Sequence, residues 1–328
     1  MKRKNTLKKI AHKIFPFLNK ENKKPKIIVV LGQTATGKSD MAVEIAKDFN
    51  GEIISADSRQ VYRGLDIGSG KITESEMQGV PHYLLDVADP RDVFTVTDFQ
   101  REAYSAIEDI LSRGKVPIIA GGTAFYIQSI VDGLVFPEIN EDKKLRKNLE
   151  QMPLEQLQQK LEELDPKRFS EIDQKNKVRL VRAIEIATLN KNIDGESKIP
   201  ELKKEPRYDA LQIGLRWPKE ILDKRIHDRL IARMSDGMIE EVEQLHKDGV
   251  SWRRLEELGL EYRYISYYLK GEISKEEMLE QLENKIRQFS KRQMTWWKRD
   301  ESIRWFSPGN YYDIRRETKN LNKNSILD

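Results

Sequence analysis

Gly32-Gln33-Thr34-Ala35-Thr36-Gly37-Lys38-Ser39 fits the pattern G-x-x-x-x-G-K-[ST], and its residue types describe a phosphate chemistry. The glycines let the backbone turn tightly and aim N–H groups inward. A following helix N-terminus adds positive partial charge, and Lys38 adds a full one. Ser39 can offer its hydroxyl to a magnesium ion that bridges phosphate oxygens. An ordinary glycine-rich turn between a strand and a helix would need neither Lys38 nor Ser39.

Asp57 is the second candidate. Glu52 to Ala56 reads as a strand, and Asp57-Ser58-Arg59-Gln60 follows at its carboxyl end, where ligands sit in open α/β sheets. A carboxylate there can bind magnesium or act as a general base; a turn or helix-capping Asp is the bland alternative. Gln60 can both donate and accept hydrogen bonds, as adenine recognition requires.

Three basic stretches complete the set. Arg225, Arg229 and Arg233 lie at i, i+4 and i+8 of one predicted helix, where like charges repel. They make sense facing an anion, or on a solvated face neutralised by Asp223, Asp228 and Asp236. Lys285 to Arg299 holds six Lys or Arg and no acid. Ile286, Phe289 and Trp296 are expected to face a core, while Lys285, Arg292 and Arg299 suit a nucleic-acid backbone. Val178-Arg179-Leu180-Val181-Arg182, after Lys175 and Lys177, opens a further helix and is also anion-directed. Basic surfaces on both sides of one phosphate site point to a large polyanionic substrate.

The elements that must position these residues alternate between strand and helix. Lys26 to Leu31 is an apolar, β-branched run before the loop, and Asp40 to Asp48 is a helix after it. Tyr83 to Val87 and Val116 to Ala120 are the third and fourth strands, the latter running into Gly121-Gly122-Thr123. Asp98 to Arg113 is an amphipathic helix between them. This order predicts a parallel sheet with helices on both faces. From about Glu138 to Ile193 the chain is helical, with Leu145, Leu149, Leu154, Leu157, Leu161 and Leu164 at packing spacing. Asn192 to Pro206 is a polar loop, and Ala210 to Leu215 returns as a strand. One long helix is expected from Pro218 to Lys247, then helices over Arg253–Tyr268 and from Ser274 to Arg299, with a frayed end from Asn310.

Composition sets limits. The 328 residues allow an α/β core plus an inserted domain, and the net charge is a mild +4. With no cysteine, disulfides and cysteine-based zinc sites are excluded. No apolar run approaches the roughly 20 residues of a membrane span, so no membrane association and a cytoplasmic location are expected. Residues 1–26 carry ten Lys or Arg and one acid, Glu21. They read as a basic arm, or as a weak tether to nucleic acid or a membrane surface, and not as a secretory signal.

With these residues in place, the chain resembles the tRNA dimethylallyltransferase family, the adenosine-37 isopentenyltransferases, from about Lys26 to Phe306. The likeness rests on G-Q-T-A-T-G-K-S at Gly32, I-S-A-D-S-R-Q-V-Y-R-G-L-D-I-G-S-G-K at Ile54, P-H-Y-L-L-D-V at Pro81, G-G-T-A-F-Y at Gly121, R-L-V-R-A-I-E at Arg179 and K-R-Q-M-T-W at Lys291. The resemblance implies a P-loop NTPase-like parallel sheet with flanking helices and an inserted all-helical domain. The corresponding divisions are a basic arm over 1–24, a catalytic core over 25–137 and 207–308, an inserted tRNA-binding domain over 138–206, and a polar tail over 309–328.

It further implies that the loop holds the pyrophosphate of dimethylallyl diphosphate while adenosine N6, beside the anticodon, attacks the allylic carbon. Asp57 would be the base. Thr34, Lys38, Ser39 with Mg2+, and Arg229 would stabilise the leaving group, Arg229 being chosen because it stands eight residues before Gly237. Asp57, Ser58, Arg59, Gln60, Thr123, Arg146 and Val178 to Arg182 would contact the anticodon stem-loop of tRNA, with the enzyme a monomer. The family usually has proline at Gln33 and serine or glycine at Thr36. Its G-Y-[RK] turn survives only distantly as Gly259-Leu260-Glu261-Tyr262-Arg263, and that stretch is left out of the expected contacts. A small-molecule P-loop kinase is the main alternative. It shares the loop, sheet and helical lid but needs no tryptophan-containing basic helix. A non-catalytic, nucleotide-dependent RNA-binding protein is the other.

Overall fold

A computed structural model describes residues 24–136, 142–189 and 203–323. The expected basic arm lies almost wholly outside them, as does most of the polar loop. In chain order the first elements are β1 (Lys26–Gly32), α1 (Lys38–Phe49), β2 (Gly51–Ser55), α2 (Glu74–Met77), β3 (His82–Tyr83), α3 (Val96–Ser112), β4 (Val116–Gly121) and α4 (Ala124–Val131). Next come β5 (Leu134–Val135), α5 (Lys143–Gln151), α6 (Leu154–Leu164), α7 (Pro166–Glu171), α8 (Lys177–Leu189) and β6 (Lys203–Lys204). The chain then runs through β7 (Asp209–Leu215), α9 (Lys219–Ser235), α10 (Met238–Lys247), α11 (Trp252–Leu258), α12 (Leu260–Leu269), α13 (Lys275–Trp297), β8 (Arg304–Phe306) and α14 (Tyr311–Lys323).

These elements form two compact units, residues 133–205 and the remainder. The larger unit is built on a six-stranded sheet in the order β3-β2-β4-β1-β7-β8, with every pairing parallel. A parallel sheet is covered on both faces, so its central strands are apolar throughout. In β1, Ile27, Val29 and Leu31 enter one core cluster with Phe99, Ile107 and Ile127. The alternate Ile28 and Val30 enter another with Met41, Ile45 and Ile213. The period-2 alternation of a strand thus feeds both layers at once. Strands β2, β4 and β1 are neighbours, so the segments leaving their carboxyl ends, which begin at Asp57, Gly122 and the phosphate loop, converge on one edge of the sheet.

A third cluster joins Val61, Leu65, Leu230, Val242, Leu258, Tyr262 and Ile286, packing α9 to α13 beside that edge. The smaller unit holds α5 to α8 around Leu149, Leu157, Leu161, Leu180 and Ile184, with Leu145, Leu154 and Leu164 packed against them. There β5 and β6 pair antiparallel.

Several expectations need correction. The third strand is only two residues long, because Leu84 and Asp86 take positive φ and turn the chain away. The long helix from Pro218 breaks at Gly237, whose φ of 98° no helix interior accommodates. The next one divides at Gly259 into α11 and α12. The short edge strand β8 and the helix α14 were not anticipated. Ile314 and Thr318 of α14 are fully buried where a frayed tail was expected. In α13 the buried positions are Met278, Leu282, Ile286, Ser290, Gln293 and Trp297. Phe289 and Trp296 are exposed instead.

Candidate active site

A cavity of about 900 Å³ opens at the carboxyl edge of the sheet, lined by the phosphate loop, Asp57 to Gln60, Gly122 and Thr123, and α9. Gly37 caps α1 with a φ of 85°, a conformation glycine takes at no steric cost. It turns Lys38 back over its own loop, where Nζ donates to the Gln33 carbonyl at 2.6 Å. Thr34, Ala35, Thr36 and Ser39 line the same space, while Gly32 and Gln33 are buried beneath it.

Two of the α9 arginines reach this loop, and the third reaches the segment around Gly68. Arg225 Nε donates to the Ala35 carbonyl at 2.8 Å, and Arg229 Nη2 donates to the Thr34 hydroxyl. Arg233 Nη1 lies 3.4 Å from the Gly68 carbonyl and 3.8 Å from Glu261. Arg225, Arg229, Arg233 and Lys38 therefore stand around one cavity. Lys38 and Arg229 keep some surface in it yet are hemmed in by protein. Burial, then Arg229, lowers the Lys38 ammonium to about 7, against a smaller upward pull from Asp57. Burial, then Arg233, lowers Arg229 to about 9, which leaves it charged at neutral pH. Crowded, partly desolvated cations of this kind are stabilised by an incoming polyanion.

Asp57 stands across from them. Its Oδ1 accepts the Arg59 N–H at 2.8 Å, and Oδ2 has no hydrogen-bond partner among the described residues. The Thr123 hydroxyl accepts the Ser58 N–H at 3.0 Å, and the Thr123 N–H reaches the Ala56 carbonyl at 3.1 Å. The Asp57 segment is thereby fastened to the loop after β4. Gln60 is less available than its type suggests. Its Oε1 accepts from Ser55 at 2.9 Å and its Nε2 donates to the Gly70 carbonyl at 3.0 Å.

The wall opposite the phosphate loop is the segment Asp66 to Lys71, to which no role was given from sequence. Glu241 of α10 accepts the N–H groups of Asp66, Ile67 and Gly68 at 3.0, 2.6 and 3.0 Å. The buried Tyr262 donates to the same carboxylate at 2.9 Å. Arg233 lies across Gly70, where a Cβ would come within 1.4 Å of Nη2. Gly259, Glu261 and Arg263 also line the cavity, so the stretch set aside from the expected contacts belongs to the site. The signal for this wall in the sequence was the family motif that runs on to Lys71, with its two glycines flanking Ser69.

In the smaller unit, Arg179 is exposed and Val178 is 78% exposed on α8. Leu180 and Val181 are core residues, so they can meet a ligand only through backbone. Arg146 Nε and Nη2 form a two-pronged pair with the buried Glu185 at 2.7 and 2.8 Å. Arg182 Nη1 adds a third bond to Glu185 at 3.2 Å.

The IPP transferase profile matches residues 60–300. The chain belongs to the IPP transferase family. It is 43% identical over 300 residues to tRNA dimethylallyltransferase 1 of Syntrophus aciditrophicus, covering 89% of this chain and 97% of that one. The full-length tRNA isopentenylpyrophosphate transferase of Bacillus halodurans superposes with a TM-score of 0.70 at 32% identity, over 92% of this chain and 98% of the other. A eukaryotic dimethylallyltransferase acting on tRNA gives 0.75 at 26% identity, over 90% and 78%. Membership of the IPP transferase family displaces the kinase and the non-catalytic alternatives. Among the described residues no helix is long and apolar enough to cross a membrane.

Proposed function

We propose that this chain transfers the dimethylallyl group of dimethylallyl diphosphate to N6 of adenosine 37 in tRNA, releasing pyrophosphate. The observation that carries this reading is one cavity holding a carboxylate, Asp57, opposite a phosphate loop ringed by Lys38, Arg225, Arg229 and Arg233. The N6 lone pair attacks the allylic C1, the C1–O bond breaks, and the electron pair leaves with the pyrophosphate. Asp57 takes the N6 proton through its unengaged oxygen. Thr34, Lys38 and Arg229 meet the charge that develops on the leaving oxygen, held in place before reaction. N6 is a weak nucleophile, so much of the rate comes from positioning. The target base must leave its stack to enter the cavity.

Ser39 would hold a Mg2+ ion. Its hydroxyl is exposed in the cavity, and the described residues contain no cluster of three acidic or histidine ligands. That fits an ion whose other ligands are diphosphate oxygens and waters. When bound, the ion neutralises pyrophosphate charge. Exposed residues of α8, with Arg59 and Arg292 at the cavity, bind the anticodon stem-loop in this reading, and the chain acts as a cytoplasmic monomer.

The test is mass spectrometry of nucleosides from unmodified tRNA incubated with the protein, dimethylallyl diphosphate and, separately, ATP. N6-(dimethylallyl)adenosine is expected with the isoprenoid donor. Asp57→Ala should lower transfer by at least ~100-fold while tRNA binding is largely kept. Label moving from ATP to an acceptor, with none from the isoprenoid to tRNA, would overturn the proposal.

A further inference from the structure

Helix α13 presents basic residues outward, yet its buried stripe runs beneath the phosphate loop and makes an uncharged contact there that the reaction scheme does not use. We propose that Gln293 is a positioning residue that sets the phosphate loop against the Asp57 segment; the inference rests on the alkyl-transfer reading above. Gln293 is 6% exposed. Its Oε1 accepts the Thr34 N–H at 2.8 Å, and its Nε2 donates to the Gly122 carbonyl at 2.9 Å. An N–H on one side and a carbonyl on the other admit only this orientation of the amide.

The two partners belong to different catalytic segments. The Thr34 hydroxyl receives Arg229, so this residue belongs to the leaving-group side. Gly122 precedes Thr123, whose hydroxyl takes the Ser58 N–H at 3.0 Å, so that segment belongs to the base side. Through Gln293, hydrogen bonds and short backbone steps connect Arg229, Thr34, Gly122, Thr123 and Ser58 to Asp57. The fit is close: a Cβ on Gly122 would lie 2.7 Å from Nε2.

One turn earlier in α13, Ser290 makes a second tie, accepting Gln33 Nε2 at 2.9 Å on Oγ and 3.1 Å on its carbonyl. The helix is thus fastened to consecutive loop residues. In-line attack needs N6 and C1 to meet at roughly 3–3.5 Å, and a misplacement of about 1 Å can cost on the order of 100-fold. A single amide that fixes the separation of the two halves therefore acts on the rate at saturation, not on the affinity of either substrate.

Two variants separate this role from a merely structural one. Gln293→Met keeps the length and removes both hydrogen bonds. Gln293→Glu keeps an acceptor for Thr34 and loses the donor to Gly122. Single-turnover transfer at saturating donor and tRNA should fall about 30- to 100-fold in Gln293→Met, with an intermediate loss in Gln293→Glu. The Kd for tRNA and for pyrophosphate should stay within about threefold of the native values. Amide hydrogen exchange of peptides covering residues 32–38 should quicken in Gln293→Met and less so in Gln293→Glu.

Native transfer by folded Gln293→Met, or a loss confined to tRNA affinity, overturns the proposal. If the native protein transfers no prenyl group, the functional reading fails. Exchange then still decides the tie itself, and unchanged exchange in Gln293→Met rejects it. Should Gln293→Met fail to fold, Gln293→Glu carries the same measurements.

Discussion

Burial beside Arg229 lowers the Lys38 ammonium from 10.5 to about 7, so near neutrality it is about half protonated. A bound diphosphate favours the charged form and raises this value again. Binding then takes up a proton. Affinity is fully developed below pH 7 and falls as pH rises between the free and bound values. We expect pyrophosphate affinity to weaken about tenfold between pH 7 and 8.5, relative to a Lys38→Arg variant whose guanidinium stays charged. The comparison cancels the ionisation of the ligand. Calorimetry in buffers of different ionisation enthalpy checks it, and parallel profiles for the two proteins would refute it. Asp57, Lys38 and the arginine stripe were legible in the sequence because a strand end, a loop pattern and helical spacing place them by local geometry. That the side chains of Leu180 and Val181 are core was not legible, because the motif gives residue types but not which face of α8 is covered. Gln293 could not be assigned at all. Its partners lie 171 and 259 residues away, and the K-R-Q-M-T-W motif that contains it does not say what the amide touches.

At the scale of elements, aromatic residues misled the reading of α13. Phe289 and Trp296 are exposed, whereas Ser290 and Gln293 are buried, because each of these polar side chains finds partners in the phosphate loop. A hydrophobic stripe cannot reveal a buried stripe that is partly polar. The break at Gly237 has a comparable consequence. It redirects α10 so that Glu241 can reach three successive amides of the segment from Asp66 to Gly68. Glu241→Ala would leave those donors and the Tyr262 hydroxyl without their acceptor, against a carboxylate bond strength of about 1.5–3 kcal/mol. We expect a loss of stability of about 3 kcal/mol, seen as a lower urea midpoint at unchanged slope. Tyr262→Phe, which removes one bond, should cost about 1 kcal/mol. Equal midpoints for Glu241→Ala and the native protein would show that the wall holds itself without the carboxylate.

For the whole molecule, alternation of strand and helix was enough to foresee the parallel sheet, and the change to a helical stretch with spaced leucines marked the helical unit. It did not foresee β8, since three residues with one ladder to β7 carry too little periodicity to register. The same reading placed basic surfaces on separate parts of the chain, and α8 allows a direct test of whether they serve one polyanion. Lys177 and Arg179 are exposed on this helix, with no side-chain partner among the described residues. Replacing both with alanine should therefore change stability by no more than about 0.5 kcal/mol. If each neutralises a tRNA phosphate, the slope of log affinity against log salt becomes shallower by about 1.4–1.8. Pyrophosphate affinity should be unaffected, because the phosphate loop and α9 are untouched. Electrostatic contact with an RNA backbone is the one role that moves the salt slope and leaves the other two quantities fixed. An unchanged slope in filter binding over 50–300 mM salt would remove α8 from the RNA surface and leave the cavity's own cations to hold the tRNA.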